Sequence, residues 1–111
     1  MKLVRDKIPS LHAANQLTDR SGKDDNRETF TFRKATSEEY GLLLRLKLAE
    51  EVGEVLSATT REETIAELGD LIDVICAVED FLAATNEDYA KQRAKRERLG
   101  EFGEGWVLIH G

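Results

Sequence analysis

Four acids set the chemistry open to this chain. Glu51 and Glu54 stand in KLAEEVGEVL, and Glu67 and Asp70 in AELGDLIDVI, each pair three residues apart. On a helix that spacing puts both carboxylates on one face. The intervening SATTREET reads as a short connection. When two helices fold back antiparallel, residues equidistant from the bend lie at one level, so Glu51 faces Asp70 and Glu54 faces Glu67. Four carboxylates then converge about two turns from the bend, a concentration of negative charge that calls for a cation. Hard oxygen donors in this number suit Mg²⁺ or Mn²⁺.

A helical Glu is ordinarily solvated, but the positions of these acids oppose that reading. At about 100° per residue, Glu67 shares its stripe with Leu71, Val74 and Val78, and Glu51 shares one with Leu44, Leu48 and Val55. The carboxylates interrupt faces that would otherwise pack. A buried, unpaired carboxylate is costly, so each needs a partner or a metal. Lys47, four residues before Glu51, offers a salt bridge, yet one lysine does not neutralise four acids. Glu50 and Asp73 border the cluster. Each fits either a second metal or proton transfer from water, or else a plain solvated or salt-bridged role.

The basic residues lie elsewhere. Lys91, Arg93, Lys95, Arg96 and Arg98 crowd one segment, and Lys2, Arg5 and Lys7 crowd the N-terminus. A lone basic helix is usually solvated. Basic clusters flanking an acidic metal nest have a sharper meaning, because phosphate oxygens bridge cations to Lys and Arg side chains. That combination describes a nucleoside polyphosphate bound as its metal complex. There is no GxxxxGK[ST] segment, so any phosphate cradle is not a P-loop.

The elements that must position these groups read as follows. Pro9 suits a first helical turn, and a helix is expected from about Ile8 to Gln16. Residues 18–28 read as a polar loop. TFTFRKA, from Thr29 to Ala35, alternates as a strand does. Thr36 and Glu39 have capping-box spacing and open a helix to about Ser57. Thr60 and Glu63 repeat that spacing before a helix from about Arg61 to Ala84. A further helix starts at Thr85 or Asn86 and stops at Gly100. The tail, Trp106 to His110, reads as a second strand able to pair with Thr29–Ala35.

The 111 residues suffice for one small domain, expected to be all-α: an antiparallel helical bundle with that small two-stranded element. One hairpin and one further helix leave much apolar surface uncovered, so dimerisation is expected to complete the bundle. With 16 basic and 22 acidic residues the formal charge is −6, which disfavours duplex nucleic-acid binding. Cys76 is the only cysteine, excluding an intrachain disulfide and a thiolate zinc site. No run spans a bilayer and no signal-peptide pattern is visible, so a cytoplasmic protein is expected.

E-x-x-E, twelve residues, then E-x-x-D resembles the signature of the MazG-type all-α NTP pyrophosphohydrolases. MKLVRDKIP and the basic stretch before GEFGEGWVLI further resemble the phosphoribosyl-ATP pyrophosphohydrolase-like branch. The resemblance implies Mg²⁺-dependent hydrolysis of the α–β phosphoanhydride of a nucleoside triphosphate to monophosphate and pyrophosphate, in a housecleaning role against non-standard nucleotides. It implies Glu51, Glu54, Glu67 and Asp70 as metal ligands and Glu50 as the group that orients or deprotonates water. Lys47, Arg5, Lys7, Lys91, Lys95 and Arg98 become phosphate-binding candidates, and a homodimer or higher homo-oligomer is implied. LGEFGEG departs from the family's usual R-G-G-F tail.

Other residues carry blander readings. Cys76 lies opposite Glu67 on its helix and reads as a packed thiol, and Trp106 as a core residue. Gly53 and Gly69 sit inside the acidic helices, where they would permit close helix approach. His12 and His110 form no E-x-x-H pair, which weighs against a di-iron bundle. The alternatives to an enzyme are a non-catalytic helical sensor that binds nucleotide or metal without turnover, and a purely structural helical dimer that gains no stability from Mg²⁺ or Mn²⁺.

Overall fold

The computed structural model describes residues 1–14 and 30–111, and every element among them is helical: α1 (Ile8–Ala13), α2 (Ser37–Ser57), α3 (Arg61–Leu82), a 3₁₀ turn (Asn86–Tyr89) and α4 (Ala90–Leu99). The all-α reading holds. The chain divides into two compact units, Met1–Val78 and Glu79–Gly111.

Within the first unit, α2 forms because a leucine-rich run without proline follows a strong start. Thr36 accepts from the Glu39 amide at 3.3 Å while the Glu39 carboxylate accepts from the Thr36 amide at 2.9 Å, the full reciprocal box that the sequence predicts. Arg33 clamps the same carboxylate. Its hydrogen bond, and after it the Thr36 amide, pull Glu39 down to about 2. The start of α3 is capped differently. Thr60 accepts from the Glu63 amide at 3.1 Å, but the Glu63 carboxylate reaches past Thr60 to the amide of Thr59 at 3.2 Å.

Few side chains are shielded. Leu43 and Leu44 of α2 and Val74 of α3 are the buried hydrophobics, with Leu48, Val55, Leu71 and Val78 half-buried. Apart from Leu43, these residues follow the stripes that carry Glu51 and Glu67. The other faces are open: Leu42, Leu46 and Leu56 of α2 and Ile65, Leu68, Ile72 and Ile75 of α3 are exposed. Cys76 is exposed too, not packed. Among the described residues an added Cβ at Gly53 or Gly69 would meet nothing within 4 Å, so neither glycine serves a close helix approach among them.

α1 begins at Ile8 with Pro9 in its first turn, as expected, and ends at Ala13. The expected continuation to Gln16, the loop 18–28 and Thr29 lie outside the described residues. The two-stranded element is not found among them, since residues 30–35 and 106–110 are irregular. An isolated two-stranded ribbon is marginal in water, and local partners claim the first segment. Phe30 and Phe32 pack on His12 with ring centroids 5.0 and 5.6 Å away, and Arg33 turns to Glu39.

In the second unit, α3 closes through Ala83, whose φ is 52°. The next helix starts at Thr85, where Asp88 accepts from the Thr85 amide at 2.7 Å, but its first turn is 3₁₀ and only from Ala90 is it α-helical. It stops at Gly100, whose φ of 79° is one that glycine adopts without strain. Trp106 is 89 % exposed and is not a core residue.

Candidate functional site

The site begins with two carboxylates that the apolar stripes bury. Glu51 is 8 % and Glu67 6 % exposed, among the most shielded side chains of the described residues. Each follows its stripe: Glu51 lies two turns beyond Leu44 on α2, and Glu67 two turns before Val74 on α3. Asp70, half-buried one turn after Glu67, joins them. One carboxylate oxygen from each of Glu51, Glu67 and Asp70 lies within 4.8 Å of the others. Three of the four acids singled out from the sequence therefore meet.

Glu54 does not join them. It is exposed and stands outside the group. It lies one turn beyond Glu51, three residues before α2 ends at Ser57, where the side chain is open to water. The expected facing of Glu54 and Glu67 is replaced by Glu67 meeting Glu51 and Asp70.

The basic residues reach these acids unequally. Lys47, one turn before Glu51, lies 3.6 Å from its carboxylate and 3.4 Å from that of Glu50. Glu50, expected to handle the water, is exposed, outside the converging group, and also 3.6 Å from Lys2. Arg5 extends from the N-terminal segment to α3, placing one guanidinium nitrogen 2.6 Å from Asp70 Oδ1 and another 2.8 Å from Asp73 Oδ2. The hydrogen bond to Asp73, with the charge of Asp70 and its own hydrogen bond adding to it, raises Arg5 above its ordinary pKa. Lys7 makes no ion pair among the described residues. Lys91, Lys95 and Arg98 lie exposed on α4, in the second unit.

Arg5, Lys47, Glu51, Asp70 and Asp73 line one cleft of about 300 Å³, with Leu44 and Val74 among its apolar walls. Sequence reasoning took Arg5 for a phosphate ligand and missed its grip on the acids. The available signal was the spacing of Asp70 and Asp73, three apart on one helix face, which a forked guanidinium can span.

The donor set fits a hard divalent cation: three carboxylate oxygens from two helices, two of the groups buried. Among the described residues no helix is long and apolar enough to cross a membrane. No family model matches the chain, and neither a curated protein nor a solved structure matches it.

Proposed function

We propose that this chain is a Mg²⁺-dependent nucleotide pyrophosphohydrolase, with Mn²⁺ as an alternative ion. The observation that carries the reading is the convergence of Glu51, Glu67 and Asp70, two of which, Glu51 and Asp70, line a cleft together with Arg5 and Lys47. The resemblance of the two acidic segments and of MKLVRDKIP to the MazG-type enzymes supplies the reaction class.

Glu51, Glu67 and Asp70 would hold the cation, which would supply charge withdrawal from phosphate oxygens. Glu54 is left as an outer acid. Lys47 and Arg5 bind phosphate oxygens from the walls of the cleft and fix the chain of phosphates for in-line attack. Glu50 accepts a proton from water as its oxygen bonds to the α-phosphorus. The α–β anhydride bond breaks and its electron pair leaves with pyrophosphate, giving the monophosphate. Lys7, Lys91, Lys95 and Arg98 are further phosphate candidates.

The working form is proposed to be a homodimer or higher homo-oligomer in the cytoplasm. Ile65, Leu68, Ile72 and Ile75 repeat at alternating steps of three and four along α3 and are all exposed. Such a seam is how helices meet one another.

The test is turnover. The protein is incubated with a panel of standard and non-standard nucleoside triphosphates and Mg²⁺, and pyrophosphate is assayed. Release of pyrophosphate, abolished in Glu51→Gln and Glu67→Gln, is expected. Variants as fast as wild type overturn the site. Calorimetric binding of nucleotide without turnover identifies the sensor instead.

A further inference from the structure

We infer that Arg5 is the resident counter-cation of the acidic cleft, displaced from Asp70 by an arriving divalent ion and then turned to the phosphates that accompany it. The inference rests on the metal site proposed above and assigns that site its entry control.

The N-terminal segment is tied to both acidic helices, through Lys2 to Glu50 on α2 and through Arg5 to Asp70 and Asp73 on α3. Arg5 does not fork onto a single carboxylate. It spends one nitrogen on Asp70, a member of the converging trio, and another on Asp73, which lies outside it. The metal-binding carboxylate and a holding carboxylate are thus bridged by one side chain. The guanidinium, 2.6 Å from Asp70 Oδ1, sets a positive charge on a carboxylate of the converging trio, and a cation entering there meets it.

Three properties make this contact a gate and not a fixed strut. A guanidinium does not lose its proton in the working pH range, so only movement frees Asp70. Arg5, Asp70 and Asp73 keep 58, 42 and 59 % of their side-chain surface exposed, so the pair is of the weak, water-screened kind that a divalent ion can outcompete. The same planar fork binds phosphate as well as carboxylate. With Asp70 given over to a cation, Asp73 would retain one end of Arg5 in the cleft lining and leave the other nitrogen for a phosphate oxygen.

The test is metal binding without turnover. Mn²⁺ is titrated into wild type, Arg5→Gln and Arg45→Gln, and free Mn²⁺ is read by electron paramagnetic resonance. Both substitutions remove one positive charge, but Arg5 pairs with Asp70 and Asp73 whereas Arg45 is exposed on α2 and has no part in the site. R5Q is expected to bind Mn²⁺ on the order of tenfold more tightly than wild type, and R45Q to change by less than about twofold. In calorimetry with magnesium pyrophosphate the sign reverses, and R5Q binds several-fold more weakly than wild type. A strut whose loss merely loosens the fold would weaken both. Equal Mn²⁺ affinity in R5Q and R45Q overturns the gate while leaving the metal site standing. Mn²⁺ binding unaltered by Glu67→Gln overturns the site itself, and the gate with it. Should R5Q not fold, Arg5→Met serves, because it keeps the apolar stem and removes the charge. It too must bind Mn²⁺ more tightly than wild type, and equal affinity overturns the gate.

Discussion

Glu67 is the residue on which the proposed chemistry turns. At 6 % exposure, beside Glu51 and Asp70, it keeps a carboxylate where an aliphatic side chain would extend the stripe of Leu71, Val74 and Val78. A metal bound only by the folded chain stabilises it by mass action, by ~2.7 kcal/mol at about 100 times Kd. Saturating Mn²⁺ should therefore raise the melting temperature of the wild type, and EDTA should reverse the rise. Glu67→Gln is expected to lose most of the increment and Glu54→Gln to keep it, because Glu54 stands outside the converging oxygens. Differential scanning calorimetry of the three proteins with and without Mn²⁺ decides the point, and an equal rise in Glu67→Gln removes that residue from the site.

At the scale of the element, the start of α2 carries a prediction of its own. Thr36, Glu39 and Arg33 form one network, and Glu39 is held at about 2 against an ordinary value of 4.5. A depressed carboxylate binds its proton more readily in the unfolded chain, so stability rises with pH between the two values. The contribution is complete above about 4.5 and is lost as pH falls toward about 2. Glu39→Gln removes this dependence, and urea melts from pH 5 to 2 should show a shallower acid loss in the variant than in wild type. Parallel acid profiles would dismiss the network as a contributor. Thr36→Ala, which deletes the cap at any pH, should cost about 1 kcal/mol. The start of α3 is predicted to depend on Thr59 as well as Thr60, since the Glu63 carboxylate accepts from the Thr59 hydroxyl and amide.

For the whole molecule, the imbalance between buried and exposed apolar side chains is the leading fact. Leu43, Leu44 and Val74 are buried, while Leu42, Leu46, Ile65, Leu68, Ile72 and Ile75 face outward on the same two helices. Burying one Leu or Ile side chain is worth roughly 1.5–3 kcal/mol, so a second copy covering this face would stabilise the chain by more than its own small core does. Sedimentation equilibrium is expected to give at least a dimer, and Ile72→Lys to shift it toward monomer with a lower melting temperature. A wild-type monomer at micromolar concentration would refute the assembly, and Ile72→Lys would then be nearly neutral.

Helix identity was legible along the chain because it is local. Thr36 with Glu39, Thr85 with Asp88 and the stop at Gly100 are contacts within a few residues, and the stripes of Glu51 and Glu67 follow from helical period alone. Which acids converge was not local. The mirror pairing treated the helices as ideal facing rods and so placed Glu54 with the other three, whereas the packing of α2 against its surroundings leaves Glu54 in water. The strands failed for a related reason: alternation marks a face but supplies no neighbour, and here the Phe30 amide donates to His12 Nε2 at 3.4 Å while the Arg33 side chain turns to Glu39. Arg5 is the sharpest case, sixty-five residues from Asp70 in sequence and 2.6 Å from it in space. Residue types and helical period determined what chemistry this chain could host. Only the tertiary fold decided which charges meet, because charge pairing depends on distance and the chain sets distance only when it folds.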